Sequence, residues 1–464
     1  MTTEAITGAF HFIGIRGAGK SVVAELLASR GARVTGSDRA DSAMLERLRS
    51  LGVGVFVGHD EAQVPEDAAV VVSTAIRESN PELAVARSRG QRVIHRSQAL
   101  ALAASGMRFV AVAGAHGKTT TSGMLSVALR EAGADPSVAV GGVVPQFGSG
   151  AHLGSGDVFV AEADESDGSF LNYAPTIEIV TNVEPDHLDR YGTRDAFEAI
   201  FVDFADRLVS GGLLIACAED DGAARLAHSA RTRGRRVATY GRPERCAAGP
   251  DIAVTGVVAT STGVRARVSW RGHEAELVLA VPGEHNVLNA AAAWAAGVEA
   301  GVDPQDMARS LGAFTGVGRR FEARGQVGGR RLFDDYAHHP TEVAAAIAQA
   351  RVVADGATVT VVFQPHLFSR TRIFAERFAD ALSGADHVVV TNIYAAREDP
   401  EPGVDSSLIS SRIDGALLVP DMHEAARTAA RLVEPGGLLI TMGAGSITTC
   451  GADVLDEWNR RAGE

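Results

Sequence analysis

The sequence predicts an α/β protein with three successive domains, each built on a mainly parallel sheet. Short apolar runs alternate with amphipathic segments, which is typical of the strands and crossover helices of a doubly wound sheet. Glycine-rich loops at residues 14–21 and 113–121 each join such a strand to such a helix. A chain of 464 residues is also too long for one compact core. We therefore expect an N-terminal Rossmann-like domain at 1–106, a central P-loop ATPase-type domain at 107–316 and a C-terminal Rossmann-like domain at 317–464.

The predicted elements keep this alternation along the whole chain. In the first domain they are FHFIGI, SVVAELLASRG, RVTGSD, AMLERLRSLG, VGVFVG and AAVVVSTAI. The second domain opens with MRFVAVAGAHGKTTTSGMLSVALREAG and continues with the strands DVFVAEAD, IEIVTNV and GGLLIACA and the helix NVLNAAAAWAAGVEAG. The third contains, in order, RRLFDDYA, TEVAAAIAQARVVA, TVTVVFQP, RTRIFAERFADALSG, DHVVVTNIYA, HEAARTAARLVE and LLITMG.

The composition favours a globular protein and argues against membrane, nucleic-acid-binding and disulfide-rich proteins. With 46% hydrophobic and 22% charged residues the chain is globular in composition, and it contains neither a long apolar run nor a signal peptide pattern, so we expect a cytoplasmic protein without membrane insertion. The net charge of -13 argues against nucleic acid as a partner. Cys217, Cys246 and Cys450 lie far apart in sequence, so we expect buried thiols and neither a disulfide framework nor a zinc site.

The first glycine loop, GIRGAGKS, fits the phosphate-loop pattern GxxxxGK[ST] at every required position. Asp38 ends the next predicted strand, 19 residues beyond Gly19, where nucleotide-binding folds often hold a ribose. Arg16 stands where a dinucleotide fingerprint would have glycine, and its side chain would either block a diphosphate or bind it. Three interpretations stay open: an ATP-binding loop, a cradle for a nucleotide diphosphate, and a tight turn without a ligand.

The second loop, AGAHGKTTT, lacks the first glycine of the pattern, because Val112 is in its place, but it has more partners. Lys118 would contact the β and γ phosphates, and Thr119 would bind Mg²⁺. Two acidic strings, AEADESDGSF and TNVEPDHLDRYG, follow predicted parallel strands and would therefore lie at the edge of the sheet that carries the loop. Carboxylate oxygens suit Mg²⁺. The alternative for each string is a solvated acidic loop.

Together these strings resemble the Mur ligases of peptidoglycan synthesis. The strings that carry the resemblance cover nearly the whole chain: HFIGI-x-GAG, VTGSD, GAHGKTTT, EADESDGSFL, TNVEPDHLDRYG, PGEHNVLNAAAA, GVGRRFE, DDYAHHPTEV, FQPHLFSRTR, IYAAREDPEPGV and GAGSI. The resemblance implies a UDP-substrate domain, a central ATP-binding domain and a C-terminal amino-acid and closure domain. It also implies a reaction in which L-alanine, glycine or L-serine is joined to the lactyl carboxylate of UDP-N-acetylmuramate through an acyl-phosphate.

The resemblance assigns roles residue by residue. ATP would be held by Ala115, His116, Gly117, Lys118, Thr119, Thr120, His285, Asn286, Asn289 and Arg320. Mg²⁺, with Mn²⁺ as an alternative, would be bound by Thr119, Glu162 and His187. The UDP moiety would lie on Gly17, Ala18, Gly19, Asp38 and Ser73, and the amino acid and acyl-phosphate on Tyr336, His338, His366 and Arg370. Lys118, His187, His338 and Arg370 would be the catalytic groups. We expect a monomer or a weak homodimer.

Three positions depart from the family pattern. Arg16 replaces a glycine, Lys20 replaces a methionine and Leu367 replaces an arginine. Because two of these lie in the first glycine loop, the sequence leaves three alternatives open: a divergent enzyme of this kind acting on another carboxylate, a P-loop NTPase with ATP at 14–21, and a non-catalytic UDP-sugar-binding protein. Two further alternatives stay open. Each arginine of the SRTR string could be a surface charge of a helix, and the pair His338 and His339 could cap the helix that follows.

Overall fold

The computed structural model describes residues 6–396 and 398–463, apart from the side chains of Ala18, Leu188 and Asp189. The predicted contact of the Ala18 side chain with the UDP moiety therefore lies outside the described residues. The chain forms two compact units. The first comprises Met1–Thr255, Arg267–Leu277 and Leu288–Phe314, and the second comprises Gly256–Ala266, Val278–Val287 and Thr315–Glu464.

The first unit contains a five-stranded parallel sheet with the strand order β3-β2-β1-β4-β5. Its elements are β1 (Ala9–Ile13), α1 (Ala18–Ser29), β2 (Arg33–Asp38), α2 (Ala43–Ser50), β3 (Gly54–Val57), β4 (Ala68–Val72), α3 (Pro81–Ser88), β5 (Val93–His95) and α4 (Arg96–Ala103). Apolar side chains of β1 and β4 form the core with α1 and α3, and local signals begin the helices. Asn80 caps α3, for example, and Pro81 is its first residue, which suits a proline because no N–H is needed there.

A ten-stranded sheet follows, with the order β15-β14-β13-β12-β11-β10-β6-β9-β7-β8. Its strands are β6 (Arg108–Ala113), β7 (Ser137–Val144), β8 (Ser149–His152), β9 (Val158–Glu162), β10 (Ile177–Val180), β11 (Leu213–Cys217), β12 (Arg236–Gly241), β13 (Ile252–Thr260), β14 (Gly263–Trp270) and β15 (His273–Leu279). Its helices are α5 (Lys118–Glu131), α6 (Leu188–Tyr191), α7 (Arg194–Ala205), α8 (Asp221–Thr232), α9 (His285–Glu299) and α10 (Pro304–Leu311). Strands β6, β9, β10, β11 and β12 pair in parallel, whereas β7 and β8 are antiparallel.

The second unit contains a six-stranded sheet with the order β16-β17-β21-β18-β19-β20. Its elements are β16 (Glu322–Val327), β17 (Arg330–Asp335), α11 (Pro340–Ala354), β18 (Val359–Phe363), α12 (Phe368–Leu382), β19 (His387–Val390), α13 (Ser407–Ser410), β20 (Leu417–Leu418), α14 (Met422–Leu432), β21 (Leu438–Met442) and α15 (Gly451–Gly463). One apolar cluster packs α11 and α12 against the sheet, and another packs α14 and α15 against it. This is the doubly wound arrangement predicted for the C-terminal domain.

Both glycine loops join a strand to a helix as predicted, the first between β1 and α1 and the second between β6 and α5. No strand was predicted at 137–152 or 322–327, where β7, β8 and β16 add antiparallel pairs to the mainly parallel sheets. The prediction of buried thiols is confirmed for Cys217 and Cys450, while Cys246 is half-buried. Every helix of the described ranges is too short or too polar to cross a bilayer.

One core position in β10 carries a charge-bearing side chain. Glu178 is fully buried, and neither of its carboxyl oxygens has a hydrogen-bond partner among the described residues. Burial raises the pKa of this carboxyl well above its ordinary value, against the opposing effect of Arg235. The folded protein therefore holds Glu178 protonated at a pH where the unfolded chain has already released that proton.

Replacing Glu178 with methionine should stabilise the protein at alkaline pH. Because the folded-state pKa lies above the unfolded value, the wild type loses stability as pH rises above the unfolded pKa, and this loss continues up to the folded pKa. Methionine removes both this loss and the buried polar atoms, so we expect a Tm increase of about 2–4 °C at pH 8 and a smaller one at pH 5. Thermal scans from pH 5 to pH 9 measure this, and Glu178→Gln is the control that removes only the titration. If Tm changed with pH in the same way in the wild type and both variants, Glu178 would not have the raised pKa described above.

Candidate active site

The second glycine loop is held in place by the strand next to it. At Gly114 (φ 129°) a Cβ atom would lie 2.2 Å from Thr181 Oγ1, so only glycine fits. Asn182 fixes the tip of the loop, since its Oδ1 accepts the N–H of His116 at 2.9 Å and its Nδ2 donates to the carbonyl of His116 at 3.0 Å. Gly117 (φ 81°) then begins α5 in a left-handed conformation. The loop thus presents the N-terminus of a fourteen-residue helix, a favourable position for phosphate.

Lys118 occupies the centre of this loop. Its Nζ donates to the carbonyl of Gly114 at 2.5 Å and lies 2.9 Å from Oε2 of Glu165, which is 1% exposed. Burial alone would lower the pKa of Lys118, but Glu165 and Asp164 outweigh it and the pKa is raised. The ammonium is therefore charged at neutral pH and available to a phosphate.

The predicted metal ligands surround the same loop. Glu162 ends β9, and its Oε1 accepts the N–H of Gly141 at 2.9 Å, while Thr119 lies in the first turn of α5. His187 has a left-handed backbone (φ 53°), and its Nε2 lies 3.7 Å from Oε1 of Glu165. The oxygen donors of Glu162, Glu165 and Thr119 fit Mg²⁺, and an imidazole beside them suits Mn²⁺ better than Mg²⁺.

The residues predicted near adenine fall in both units. In the first unit, Asn289 of α9 accepts a hydrogen bond from Thr121 Oγ1 at 3.1 Å, and its Oδ1 lies 3.0 Å from the position of a Cβ on Gly117. This places Asn289 against the phosphate loop. In the second unit, Asn286 Nδ2 donates to the carbonyl of Pro282 at 2.7 Å. Burial lowers the pKa of His285 to about 4, so its imidazole is neutral at pH 7.

The first glycine loop has a lysine folded into it in a similar way. Lys20 Nζ donates to the carbonyl of Ile13 at 2.7 Å and to Ser73 Oγ at 3.2 Å. Burial lowers the pKa of Lys20 to about 8, against the opposing effect of Asp38. The Asp38 carboxylate accepts the N–H of Arg16 at 2.9 Å and lies 3.7 Å from its Nε. Asp38 and Ser73 are therefore gathered at the loop as predicted, together with the two unusual basic residues.

The predicted amino-acid residues form one cluster in the second unit. The ring of His338 lies 5.2 Å from that of Tyr336 and 5.8 Å from that of His366. Arg370 is 5% exposed, and its Nη1 lies 3.2 Å from Nδ1 of His366. The guanidinium of Arg320 lies over the Tyr336 ring at 5.1 Å. The cluster offers aromatic surface, imidazoles and a buried cation, which together suit a small anionic ligand.

Two alternatives for this region can be decided. Arg370 is buried, so the surface-charge explanation is wrong for it, whereas Arg372 is exposed and pairs with Glu401 at 3.0 Å. Helix capping holds for the pair, because the N–H groups of His338 and His339, just before α11, both donate to Glu342 Oε2, at 3.0 and 3.3 Å. The ring of His338 also belongs to the cluster of aromatic rings.

Leu367 marks a strained point beside this cluster. It is buried and has φ 71° just before α12, a backbone conformation that costs about 1–3 kcal/mol for a residue other than glycine. Its N–H donates to the carbonyl of Tyr394 at 3.0 Å, and the rings of His366 and Tyr394 stack with centroids 5.8 Å apart. The strained backbone of Leu367 therefore directly follows His366, whose ring is held against Tyr394.

Three family models match successive parts of the chain. They are the Mur ligase family catalytic domain at residues 9–108, the Mur ligase middle domain at 112–297 and the Mur ligase glutamate ligase domain at 319–445. The UDP-N-acetylmuramate–L-alanine ligase of Kineococcus radiotolerans is 53% identical over 457 residues, which are 97% of this chain and 96% of that protein. The chain belongs to the Mur ligase family.

Further comparisons agree with membership of the Mur ligase family. The UDP-N-acetylmuramate–L-alanine ligase of Renibacterium salmoninarum is 51% identical and covers 97% of this chain and 96% of that protein. The crystal structure of the UDP-N-acetylmuramate-alanine ligase of Thermotoga maritima has a TM-score of 0.79 at 28% identity, covering 98% of this chain and all of that one. The predicted fold class of three α/β domains is confirmed, and the exact limits at 106 and 316 stay predictions.

Three residues of this Mur ligase site were not assigned from the sequence. Glu165, the partner of Lys118, stands in the acidic string AEADESDGSF, and its buried position could not be read from that string. Asn182, which fixes the loop, lies near the end of the predicted strand IEIVTNV and just past β10 in the structure, a position that favours the site edge of a parallel sheet. Arg96, which donates to Asp164 at 2.6 Å, lies in the first sheet's domain and had no sequence signal at all.

Proposed function

We propose that this Mur ligase uses ATP and Mg²⁺ to join L-alanine to the lactyl carboxylate of UDP-N-acetylmuramate. The observation that carries the proposal is the full-length match to relatives bearing that name, with half of the residues identical. ATP would bind at the second glycine loop and the UDP moiety at the first. The reaction would take place in the cytoplasm, where both nucleotides are available, with the enzyme a monomer or a weak homodimer.

The chemistry begins with a carboxylate, which is a poor electrophile. Its oxygen attacks the γ-phosphorus of ATP, ADP leaves, and an acyl-phosphate forms. The amino group of L-alanine then attacks the acyl carbon, the C–O bond to phosphate breaks, and a proton is lost from the nitrogen. Both steps bring anions together, so the site needs fixed positive charge more than a nucleophilic side chain.

The residues around the second loop supply that charge. Lys118, whose Nζ donates to the carbonyl of Gly114 in the same loop, would turn toward the transferred phosphate. Glu165 would hold the ammonium in place, because its carboxylate is buried beside it. Glu162 and Thr119, with His187, would hold Mg²⁺, which when bound supplies charge for the phosphate oxygens.

The second unit would receive the amino acid. Arg370 is the group best suited to its carboxylate, because a buried guanidinium can pair with it through two hydrogen bonds. His338 and His366 lie within the same cluster and are candidates to accept the proton from the amine. Glycine and L-serine differ from L-alanine by one small group, so they are the competing substrates.

A substrate-dependence experiment tests the proposal. Phosphate release from ATP and Mg²⁺ should require both UDP-N-acetylmuramate and an amino acid, with L-alanine favoured over glycine by about tenfold or more in kcat/KM. The measurement compares L-alanine, glycine and L-serine at matched concentrations, with product mass confirming the amide. No amino-acid-dependent release with any of the three would refute this function and favour a different carboxylate substrate, which the departures Arg16 and Lys20 would then explain.

A further inference from the structure

The Arg96 guanidinium bridges the surroundings of the two glycine loops within the first unit. Arg96 is the first residue of α4, and its Nη1 lies 3.2 Å from the position of a Cβ on Gly19, in the first loop. On the other side, its Nη2 donates to Oδ2 of Asp164 at 2.6 Å and lies 3.7 Å from Oδ2 of Asp167. One largely buried cation thus touches the first loop and the acidic string that follows β9.

Asp164 is next in the chain to Glu165, whose Oε2 lies 2.9 Å from Nζ of Lys118 in the second loop. Burial acts to raise the pKa of Asp164, but Arg96 and Lys118 hold it below its ordinary value. Asp164 is also one of the three carboxylates, with Glu165 and Glu162, that raise the pKa of Lys118. The cation at the first loop is therefore paired with a carboxylate that directly precedes the one paired with the cation of the second loop.

Other contacts already hold these segments together. Asn172 Nδ2 donates to Ser97 Oγ at 2.8 Å, and His95 Nε2 lies 3.4 Å from Oδ2 of Asp167. Because these contacts connect the same two segments without Arg96, the arginine is not needed simply to join them. Its distinctive property is that its charge can serve either of two anions.

We propose that Arg96 is a positioning residue that couples the two loops. When a diphosphate binds at the first loop, the Arg96 guanidinium turns from Asp164 toward it, because a guanidinium pairs well with phosphate oxygens. The Asp164 carboxylate, no longer paired with Arg96, then adds its negative charge to the acidic string and increases the affinity of that string for a divalent cation. Occupancy of the first loop thereby raises the affinity of the second loop for the metal–nucleotide complex. This inference rests on the proposed assignment of the UDP substrate to the first loop.

Calorimetry on the full-length chain tests the coupling. The dissociation constant of AMP-PNP is measured at saturating Mg²⁺, with and without UDP-N-acetylmuramate. In the wild type we expect binding about fivefold tighter or more when the UDP substrate is present, and the reciprocal tightening of UDP-N-acetylmuramate by AMP-PNP. Without Mg²⁺ the effect should disappear, since the released carboxylate acts through the cation. A purely structural role of Arg96 would not produce this metal dependence.

Two variants and a control distinguish a specific effect of Arg96 on the coupling from a general loss of contacts between the two segments. Arg96→Gln should remove the coupling and leave Mg²⁺–AMP-PNP alone bound at least as tightly as in the wild type, because Asp164 is then permanently released. Arg96→Lys, which keeps the charge and much of the volume, should retain less than half of the wild-type ratio. Asn172→Ala removes a neighbouring contact between the same segments and should keep the wild-type ratio.

Several outcomes would overturn the proposal. They are a wild-type ratio of one, an unchanged ratio in Arg96→Gln, and an equal loss in Asn172→Ala and Arg96→Gln. If UDP-N-acetylmuramate binds and the amide forms but the ratio is one, only the coupling fails. If UDP-N-acetylmuramate does not bind at all, the coupling and the proposed function fail together.

Discussion

Lys118→Ala is expected to abolish turnover, lowering kcat by about 10³-fold or more. The ammonium lies in the centre of the loop between β6 and α5, beside the buried carboxylate of Glu165, and its pKa is raised, so it is a fixed positive charge. Removing it leaves Glu165 buried without its cation, where it would repel the incoming phosphates. Steady-state phosphate release with UDP-N-acetylmuramate and L-alanine measures the loss.

Lys20→Ala is the matched control, because it removes the lysine that folds into the first loop in the same way. It should mainly raise the KM for the UDP substrate and leave kcat and the KM for ATP within about threefold of the wild type. If Lys20→Ala instead eliminated ATP binding while Lys118→Ala preserved it, the assignment of the two loops would be reversed. That result would favour the P-loop NTPase with ATP at 14–21.

Pattern matching alone could not decide between the loops. GIRGAGKS satisfies the phosphate-loop pattern at every position, and AGAHGKTTT does not. The structure places a lysine within each loop, but among the described residues a carboxylate pairs directly with only one of these lysines. Lys118 has Glu165 at 2.9 Å, whereas Lys20 donates to a carbonyl and a hydroxyl, and Asp38 acts on it without a direct contact. Metal-assisted phosphate chemistry needs such carboxylates. The side chains packed around a glycine loop therefore indicate its ligand better than the sequence of the loop itself does.

Parallel strands such as β6, β9 and β11 were readable because they are buried on both faces and appear as continuous apolar runs. Strands such as β14 (Gly263–Trp270) alternate between buried and exposed positions, so they contain fewer apolar residues and were not recognised. The period of two was present in the letters GVRARVSW, and a search for alternation would have found it. Strand pairing between distant segments, such as β17 with β21, is set by the whole sheet and by no local pattern.

The candidate site was predictable where its residues follow parallel strands, because chain topology brings those ends to one edge of a sheet. Glu162 and His187 are of this kind. Arg96 is different, since it belongs to the neighbouring sheet's domain and meets Asp164 only through the packing of the two sheets within the first unit. No spacing in the sequence encodes that packing, so a single-sequence argument could not have found this residue.

The remaining large effect is expected at the amino-acid cluster of the second unit. Arg370→Ala should raise the KM for L-alanine by about 30-fold or more, the equivalent of about 2 kcal/mol, because truncating one partner of a buried charge pair costs that much or more. Arg370 is suited to this role because it is 5% exposed and its Nη1 lies 3.2 Å from His366. Varying L-alanine at saturating ATP and UDP-N-acetylmuramate measures the change.

Arg372 provides a control two residues along the same helix. It carries the same charge but is exposed and pairs with Glu401 at the surface, so Arg372→Ala should change the KM for L-alanine by less than about twofold. Arg370→Lys should recover only part of the affinity, because an ammonium cannot reproduce the two parallel hydrogen bonds of a guanidinium. Equal effects of Arg370→Ala and Arg372→Ala would mean that α12 contributes only general positive charge, and the amino-acid carboxylate would have to be bound elsewhere.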